Sequence, residues 1–199
     1  MTTTGNPTAQ SPLNTSSKDK FYLSMELPFI LRKEAANDPT ININPILMSV
    51  HGTVVPDISV PEVDMRFQGQ NLHLSTYARP TYPPITINYV IDNQYNNYYV
   101  FWRWLDIMNL AISDFYGGSS AHDNTSYLVG DQFEYQTTIN ITALNEYNEP
   151  SLEFIYTKAF LTSLGGITYS YREGQTLMEG SATFHFSQLE VRKKLPLIR

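Results

Sequence analysis

Apolar and polar residues alternate along much of this chain, and a period of two is the signature of strands with one buried face. After the break at Pro83-Pro84, Ile85, Ile87, Tyr89 and Ile91 alternate with Thr86, Asn88 and Val90. Phe133, Tyr135, Ile139 and Ile141 share one face of a run reaching Leu144. A polar tip at Asn145 to Pro150 then leads into Leu152–Leu161, which predicts a long hairpin. Met65 to Ser75 predicts a second hairpin, with Gly69 at the turn and Leu72 and Leu74 alternating after it. Gly165-Gly166 introduces Ile167–Tyr171 as another extended run. Ala182, Phe184 and Phe186 alternate with Ser181, Thr183, His185 and Ser187 in a last strand. Near the start, Phe21 to Ile30 reads as a first strand ended at a sheet edge by Pro28. Residues 32–44 read as a loop, and Pro45–Val50 and Val54-Val55 as short extended segments.

One stretch changes period. Asp92 or Asn93 can cap a helix in which Tyr98, Phe101, Trp102, Leu105, Met108 and Ile112 recur at three- and four-residue spacing. The helix is expected at about 93–112, with Phe101, Trp102 and Leu105 on its core face. Tyr99, Val100, Trp104, Ile107 and Leu110 leave little polar surface opposite, and a helix apolar all round must be covered on both sides. Part of that cover is expected from another subunit. The same aromatics would also suit a stacking platform for bases or sugars, but core packing is the default. The predicted fold class is mainly β, an antiparallel β-barrel or sandwich with one packed α-helix. A chain of 199 residues fits one domain, read as a flexible N-terminal arm at 1–20, a β domain at 21–191 and a basic C-terminal extension at 192–199.

Charge sharpens this picture. Only 16% of residues are charged, against roughly 25% in ordinary soluble domains, and a surface poor in charge loses less when a partner desolvates it. Arg192, Lys193, Lys194 and Arg199 place four of the 13 basic residues in the last eight positions. Residues 1–191 hold the other nine against all 19 acidic residues, a balance of −10. An acidic body argues against gripping nucleic acid, which needs Lys and Arg at the phosphates. The basic end is expected to contact an acidic neighbour. The chain has no Cys, so disulfides, thiolate metal sites and Cys nucleophiles are excluded. Neither a basic-then-apolar leader nor 18 successive apolar residues occurs, and neither a secretion signal nor a membrane span is expected.

The chain shows no phosphate loop, dinucleotide glycine pattern, zinc helix motif or calcium loop. Ser119, Ser120, His122 and Asp123 bring hydroxyl, imidazole and carboxylate together in one polar loop, but a catalytic triad is defined by geometry between separated segments. His51, His73, His122 and His185 stand singly. No catalytic residue, cofactor or metal is predicted.

Two ordered blocks carry a resemblance. The first is Met65-Arg-Phe-Gln-Gly69-Gln-Asn-Leu-His-Leu74, then Arg79, Tyr82 and the alternating strand ending at Asp92, then Phe101 and Trp104 three apart, with Trp102 between them. The second runs from Tyr156 through Phe160 and a turn at Thr162-Ser163 to Tyr169 and Tyr171, followed by Glu179 to Phe186 with Phe184 inside it. In order and spacing these segments resemble the tail tube proteins of contractile bacteriophages, a family sharing its fold with the inner tube of type VI secretion. The resemblance covers most of residues 20–191. Leu161 departs from it, standing where many relatives have Pro before the turn.

The resemblance implies a structural protein whose hexameric rings stack into a hollow tube, with strands from all six subunits closing an inner barrel. It implies a place in the virion after assembly in the host cytoplasm. The implied partners are the tail sheath, baseplate and tail terminator proteins, with phage DNA passing through the lumen; the charge balance of −10 over residues 1–191 adds the expectation of a negatively charged lumen that does not bind DNA tightly. Gly69, Arg79, Tyr82, Asp92, Phe101, Trp102, Trp104, Phe160, Tyr169, Tyr171, Phe184 and Phe186 become structural or assembly positions, and Arg192, Lys193, Lys194 and Arg199 partner contacts. Other readings remain open: a tube initiator or distal tube protein of the baseplate with the same fold, a type VI tube protein, a carbohydrate-binding β-sandwich, and a hydrolase using His122.

Overall fold

A computed structural model describes residues 16–36, 38–76, 82–115, 135–172 and 176–194. In chain order its elements are β1 (Phe21–Met25), α1 (Phe29–Ala35), α2 (Asn44–Ser49), β2 (Val50–Thr53), β3 (Glu62–Phe67), β4 (Gln70–Ser75), β5 (Ile85–Val90), α3 (Asn96–Phe115), β6 (Thr137–Leu144), β7 (Pro150–Leu164), β8 (Glu179–His185) and β9 (Gln188–Lys193). The molecule is mainly β and antiparallel, as its alternation predicts. One sheet runs β1-β6-β7-β8-β5-β2 with β9 also on β7, and β3-β4 stands apart as a hairpin.

The 15-residue β7 belongs to two half-sheets. Its first part pairs with β6 on one side and with β9 on the other, from Leu152↔Lys193 to Thr157↔Gln188. Beyond Lys158, which takes a left-handed φ of 55°, the side that held β9 passes to β8, beginning at Phe160↔His185. A residue at positive φ in a strand bends the strand and increases its twist. Here it re-aims β7 from the β1-β6-β7-β9 half to the β2-β5-β8-β7 half.

The alternation of β5 buries Ile85, Ile87 and Tyr89, and that of β8 buries Gly180, Ala182 and Phe184 on the same side. Helix α3 packs there: the Phe101 ring lies 5.2 Å from Tyr89 and 6.0 Å from Phe184, and Trp104 lies 5.7 Å from Phe184. Trp104 is fully buried and its Nε1–H donates to the carbonyl of Tyr135 at 3.1 Å, which satisfies the indole's polar atom. Gly180 is required by closeness, since a Cβ there would stand 2.7 Å from Cζ of Tyr89. Burial pushes the Tyr156 phenol up to about 12 and raises that of Tyr89, and neither hydroxyl has a hydrogen-bond partner among the described residues.

Several sequence expectations are corrected. The first strand stops at Met25, because Pro28 (φ −60°, ψ 155°) opens α1 rather than closing a strand, and α1 enters the expected loop at 32–44. Pro45 likewise sits in the first turn of α2, where its missing N–H costs nothing, so Pro45–Val50 is largely helical rather than extended. Val54-Val55 lies outside β2. Helix α3 begins at Asn96, three residues later than expected, after Tyr95 turns the chain at φ 59°. The Thr162-Ser163 turn is a register shift inside β7, which runs on to Leu164. Ile167–Tyr171 forms no strand and pairs with none among the described residues. The last strand is β9, so Phe186 falls just past β8, and Arg192 and Lys193 lie in the sheet rather than in an extension. Phe133, residues 1–15 of the arm and the loop at 117–131 lie outside the described residues.

Candidate functional site

The surfaces with work to do are edges and faces that one chain leaves uncovered. The β2-β5-β8-β7 half-sheet has two open edges. Among the described residues, strand β2 pairs with β5 alone, and Phe160–Leu164 of β7 pairs with β8 on one side but lies beyond the last β6 partnership, Thr137↔Ala159. Four antiparallel strands alternate in direction, so the two edge strands run oppositely. Unpaired edges of this kind present rows of free N–H and C=O groups, which a neighbouring strand can satisfy.

The β3-β4 hairpin is the second such surface. Gly69 takes φ +82° at its turn, the left-handed geometry that glycine adopts without steric cost. The register Val63↔Leu74 and Met65↔Leu72 places these four on one face, while Asp64↔His73 and Arg66↔Asn71 lie on the other. Each of the four apolar residues is 45–51% exposed, and Val54, Val55, Ile58 and Val60 just before the hairpin are exposed as well. A two-stranded hairpin with a bare apolar face is marginal in water.

Helix α3 carries the third. Trp102, expected on the core face, is 47% exposed and stacks with Tyr99 at 6.0 Å, while Phe101 and Trp104 are buried. The 100° step puts Trp102 beside Tyr99 and Leu105, away from the line through Phe101 and Trp104. Leu105 is only partly buried.

Among the other expected site residues, Asp92 Oδ1 accepts the N–H of Asn97 at 3.3 Å at the start of α3. Phe186 packs between Tyr82 and Tyr156 at 5.2 and 4.9 Å. Phe160 meets Tyr135 at 6.4 Å and stacks on His185 at 6.3 Å. Tyr169 is exposed with its hydroxyl 3.5 Å from that of Tyr95, and Tyr171 is fully exposed. Arg192 pairs with Glu190 at 2.7 Å and Lys194 with Glu153 at 3.1 Å, so the basic end finds acidic partners within its own chain. Arg79, Arg199, His122 and its neighbours Ser119, Ser120 and Asp123 lie outside the described residues. Among the described residues no group of three or more His, Asp or Glu could hold a metal ion, and no helix is long and apolar enough to cross a membrane.

Sequence reasoning missed two polar knots. Asn97 is fully buried, donating from Nδ2 to the carbonyl of Val90 at 2.8 Å and to Ser49 Oγ at 3.1 Å, which joins β5, α2 and α3. Arg103 grips Glu34 of α1 and also Asp106 at 2.6 Å. An Asn in a first helical turn and an Arg–Asp pair three apart were the only available signals, and both are common.

The sequence profile of the family described as phage tail tube protein matches residues 16–192. The chain belongs to that family. Its fold is also found in solved structures of low sequence identity. The chain superposes on one in the cryo-EM structure of the anti-feeding prophage cap (AFP tube terminating cap), with a TM-score of 0.56, 12% identity, and coverage of 90% of this chain and 92% of that one. Against the PVC sheath-tube complex of an extracellular contractile injection system in its extended state, the values are 0.55, 12%, 90% and 93%. Against the anti-feeding prophage baseplate they are 0.53, 10%, 90% and 97%. No curated protein is similar enough in sequence to match. The phage tail tube family is one of structural tube proteins, and the exposed edges, hairpin and α3 face of this member are the surfaces through which such a protein can meet others.

Proposed function

We propose that copies of this chain close into hexameric rings through the two open edges of the β2-β5-β8-β7 half-sheet, and that the rings stack into the hollow tail tube of a contractile phage particle. The observation that carries this reading is the opposite direction of the two edge strands. A rotation about an axis along the strands brings β2 of one copy beside Phe160–Leu164 of the next in antiparallel order, and repeating it leaves no edge. Four strands from each of six copies exceed the about 16–18 at which a barrel encloses an aqueous channel. The bare hairpin supports stacking, because it projects apolar surface that the ring-closing edges do not use. The sheath-tube, baseplate and tube-cap assemblies of the structural neighbours support sheath, baseplate and terminator partners, and membership of the phage tail tube family supports a virion location; assembly in the host cytoplasm and passage of phage DNA belong to the same proposal. The role is mechanical, with no enzymatic step.

Absence of Cys gives a clean test. One cysteine is placed at His51, Gly52 or Thr53 and one at Thr162, Ser163 or Leu164. Within one chain the two edges lie three strand spacings apart, about 14 Å, beyond disulfide reach. Oxidation is expected to give a ladder ending at a covalent hexamer for at least one pair, alongside rings or tubes in electron micrographs. Compact monomers at every concentration and no ladder for any pair refute the reading.

A further inference from the structure

Charge is distributed unevenly between the two halves of the sheet. Across β2, β5, β8 and Phe160–Leu164 the only carboxylate or Lys/Arg side chain is Glu179, at one end, with His51 Nε2 3.9 Å from it. The other half carries Glu153, Lys158, Glu190, Arg192 and Lys193 on its strands, and the helices carry Glu34, Arg103 and Asp106. On the face of the β2-β5-β8-β7 half remote from α3, the register sets Asn88 beside Ser181, and Thr183 between Thr86 and Ser163. Thr86 and Thr183 bring their hydroxyls within 3.4 Å, and Thr162 Oγ1 donates to the carbonyl of Thr183 at 3.0 Å. These residues are partly or fully exposed, so the face is wet, polar and without fixed charge over its middle.

We infer that this face is a neutral hydroxyl and amide wall lining the channel, past which a hydrated polymer of either charge sign can slide. The inference rests on the ring closure proposed above and replaces the negatively charged lumen expected from net charge. Asp106 stands on α3, which packs on the opposite face of this half-sheet, and both it and Glu34 of α1 are ion-paired with Arg103, so the wall's own neutral side chains set the charge that a passing polymer meets. Hydroxyls and amides exchange hydrogen bonds with water and offer a phosphate or an ammonium no counter-charge.

The test uses tubes assembled from the full chain with one added cysteine, Ser181→Cys or Asn88→Cys. A small maleimide is expected to label it in tubes as fast as in unassembled protein, while a polymeric maleimide labels only unassembled protein. Tubes protected from both reagents would mean the face is covered by a neighbour, and full labelling by the polymer would mean it lies outside. Either overturns the wall. If micrographs of the parent chain show no tubes, the ring reading itself fails and the wall falls with it. For neutrality, the wall cysteine in tubes is expected to react with a small cationic and a small anionic thiol reagent at rates within about twofold of each other, at low and at high salt. Adding Thr86→Lys to the same tubes should favour the anionic reagent by about tenfold at low salt and less at high salt. A steep, salt-dependent preference for either reagent in tubes without the added Lys refutes the neutral wall without touching the ring.

Discussion

Arg103 of α3 clasps Glu34 of α1 through two parallel hydrogen bonds, Nε to Oε2 at 2.8 Å and Nη2 to Oε1 at 2.7 Å. The carboxylate raises the guanidinium's pKa and so holds its charge. Both side chains are mostly buried, and the fork fixes the angle between two helices that otherwise share little. Arg103→Met is expected to lower stability by about 1.5–3 kcal/mol, and Arg103→Lys to restore less than half of it, since an ammonium cannot make the planar two-bond contact. Urea unfolding of both variants checks this, and full rescue by Lys would show that charge alone matters there.

The two tryptophans of α3 should separate folding from assembly. Trp104→Ala removes a fully buried ring and is expected to cost about 3–5 kcal/mol. Trp102→Ala removes a half-exposed ring and should leave the isolated chain within about 1 kcal/mol of the parent, while impairing tube formation. Thermal unfolding at low concentration, with microscopy at high concentration, reads the two effects apart. Equal losses of stability would return Trp102 to the core.

How far the sequence could be read depends on whether a signal was periodic or conditional. The strands of β5 and β8 were legible because Ile85, Ile87 and Tyr89, or Ala182 and Phe184, repeat over several turns of the pleat. Trp102 was misplaced because three- and four-residue spacing fits two overlapping helix faces when nearly every position is apolar. Pro28 and Pro45 were misread because proline opens a helix as readily as it ends a strand. Strand β9 was hidden by its own charges: Leu189 and Val191 alternate correctly, but Arg192-Lys193-Lys194 reads as a basic extension beyond the domain until Glu153 and Glu190 are seen beside it. The open edges were not readable at all, since an edge is defined by which strand fails to arrive.

Alkaline pH should expose the buried phenols. The folded chain holds the Tyr156 proton up to about pH 12, whereas an unfolded tyrosine releases it near 10. The folded state therefore binds more protons between those values, so this contribution to stability is constant below about pH 10 and falls as pH rises to about 12. Tyr156→Phe is expected to flatten the fall, and at neutral pH to be as stable as the parent or more so, because it removes a hydroxyl with no partner among the described residues. Urea midpoints across this pH range check it. An unchanged slope would place the alkaline sensitivity on Tyr89, whose phenol is raised by burial too.

The hairpin supplies the sharpest separation between a stable subunit and a growing tube. Val63, Met65, Leu72 and Leu74 touch solvent on one face, and β3-β4 is hydrogen-bonded to no other strand among the described residues. Replacing Met65 and Leu72 by Gln should therefore leave the core of β5, β8 and α3 untouched, with a change in unfolding free energy within about 0.5 kcal/mol, as for ordinary surface positions. Burying the exposed half of each of these two side chains against another copy would contribute about half of the 1.5–3 kcal/mol of full burial, roughly 1 kcal/mol each, repeated at every subunit of a ring. The expected outcome is a variant with parental thermal stability that still forms the disulfide-trapped hexamer but no longer elongates, giving single rings in micrographs. Normal tubes from this variant would show that the apolar face is spectator surface, and loss of the hexamer itself would place the hairpin within the ring rather than between rings.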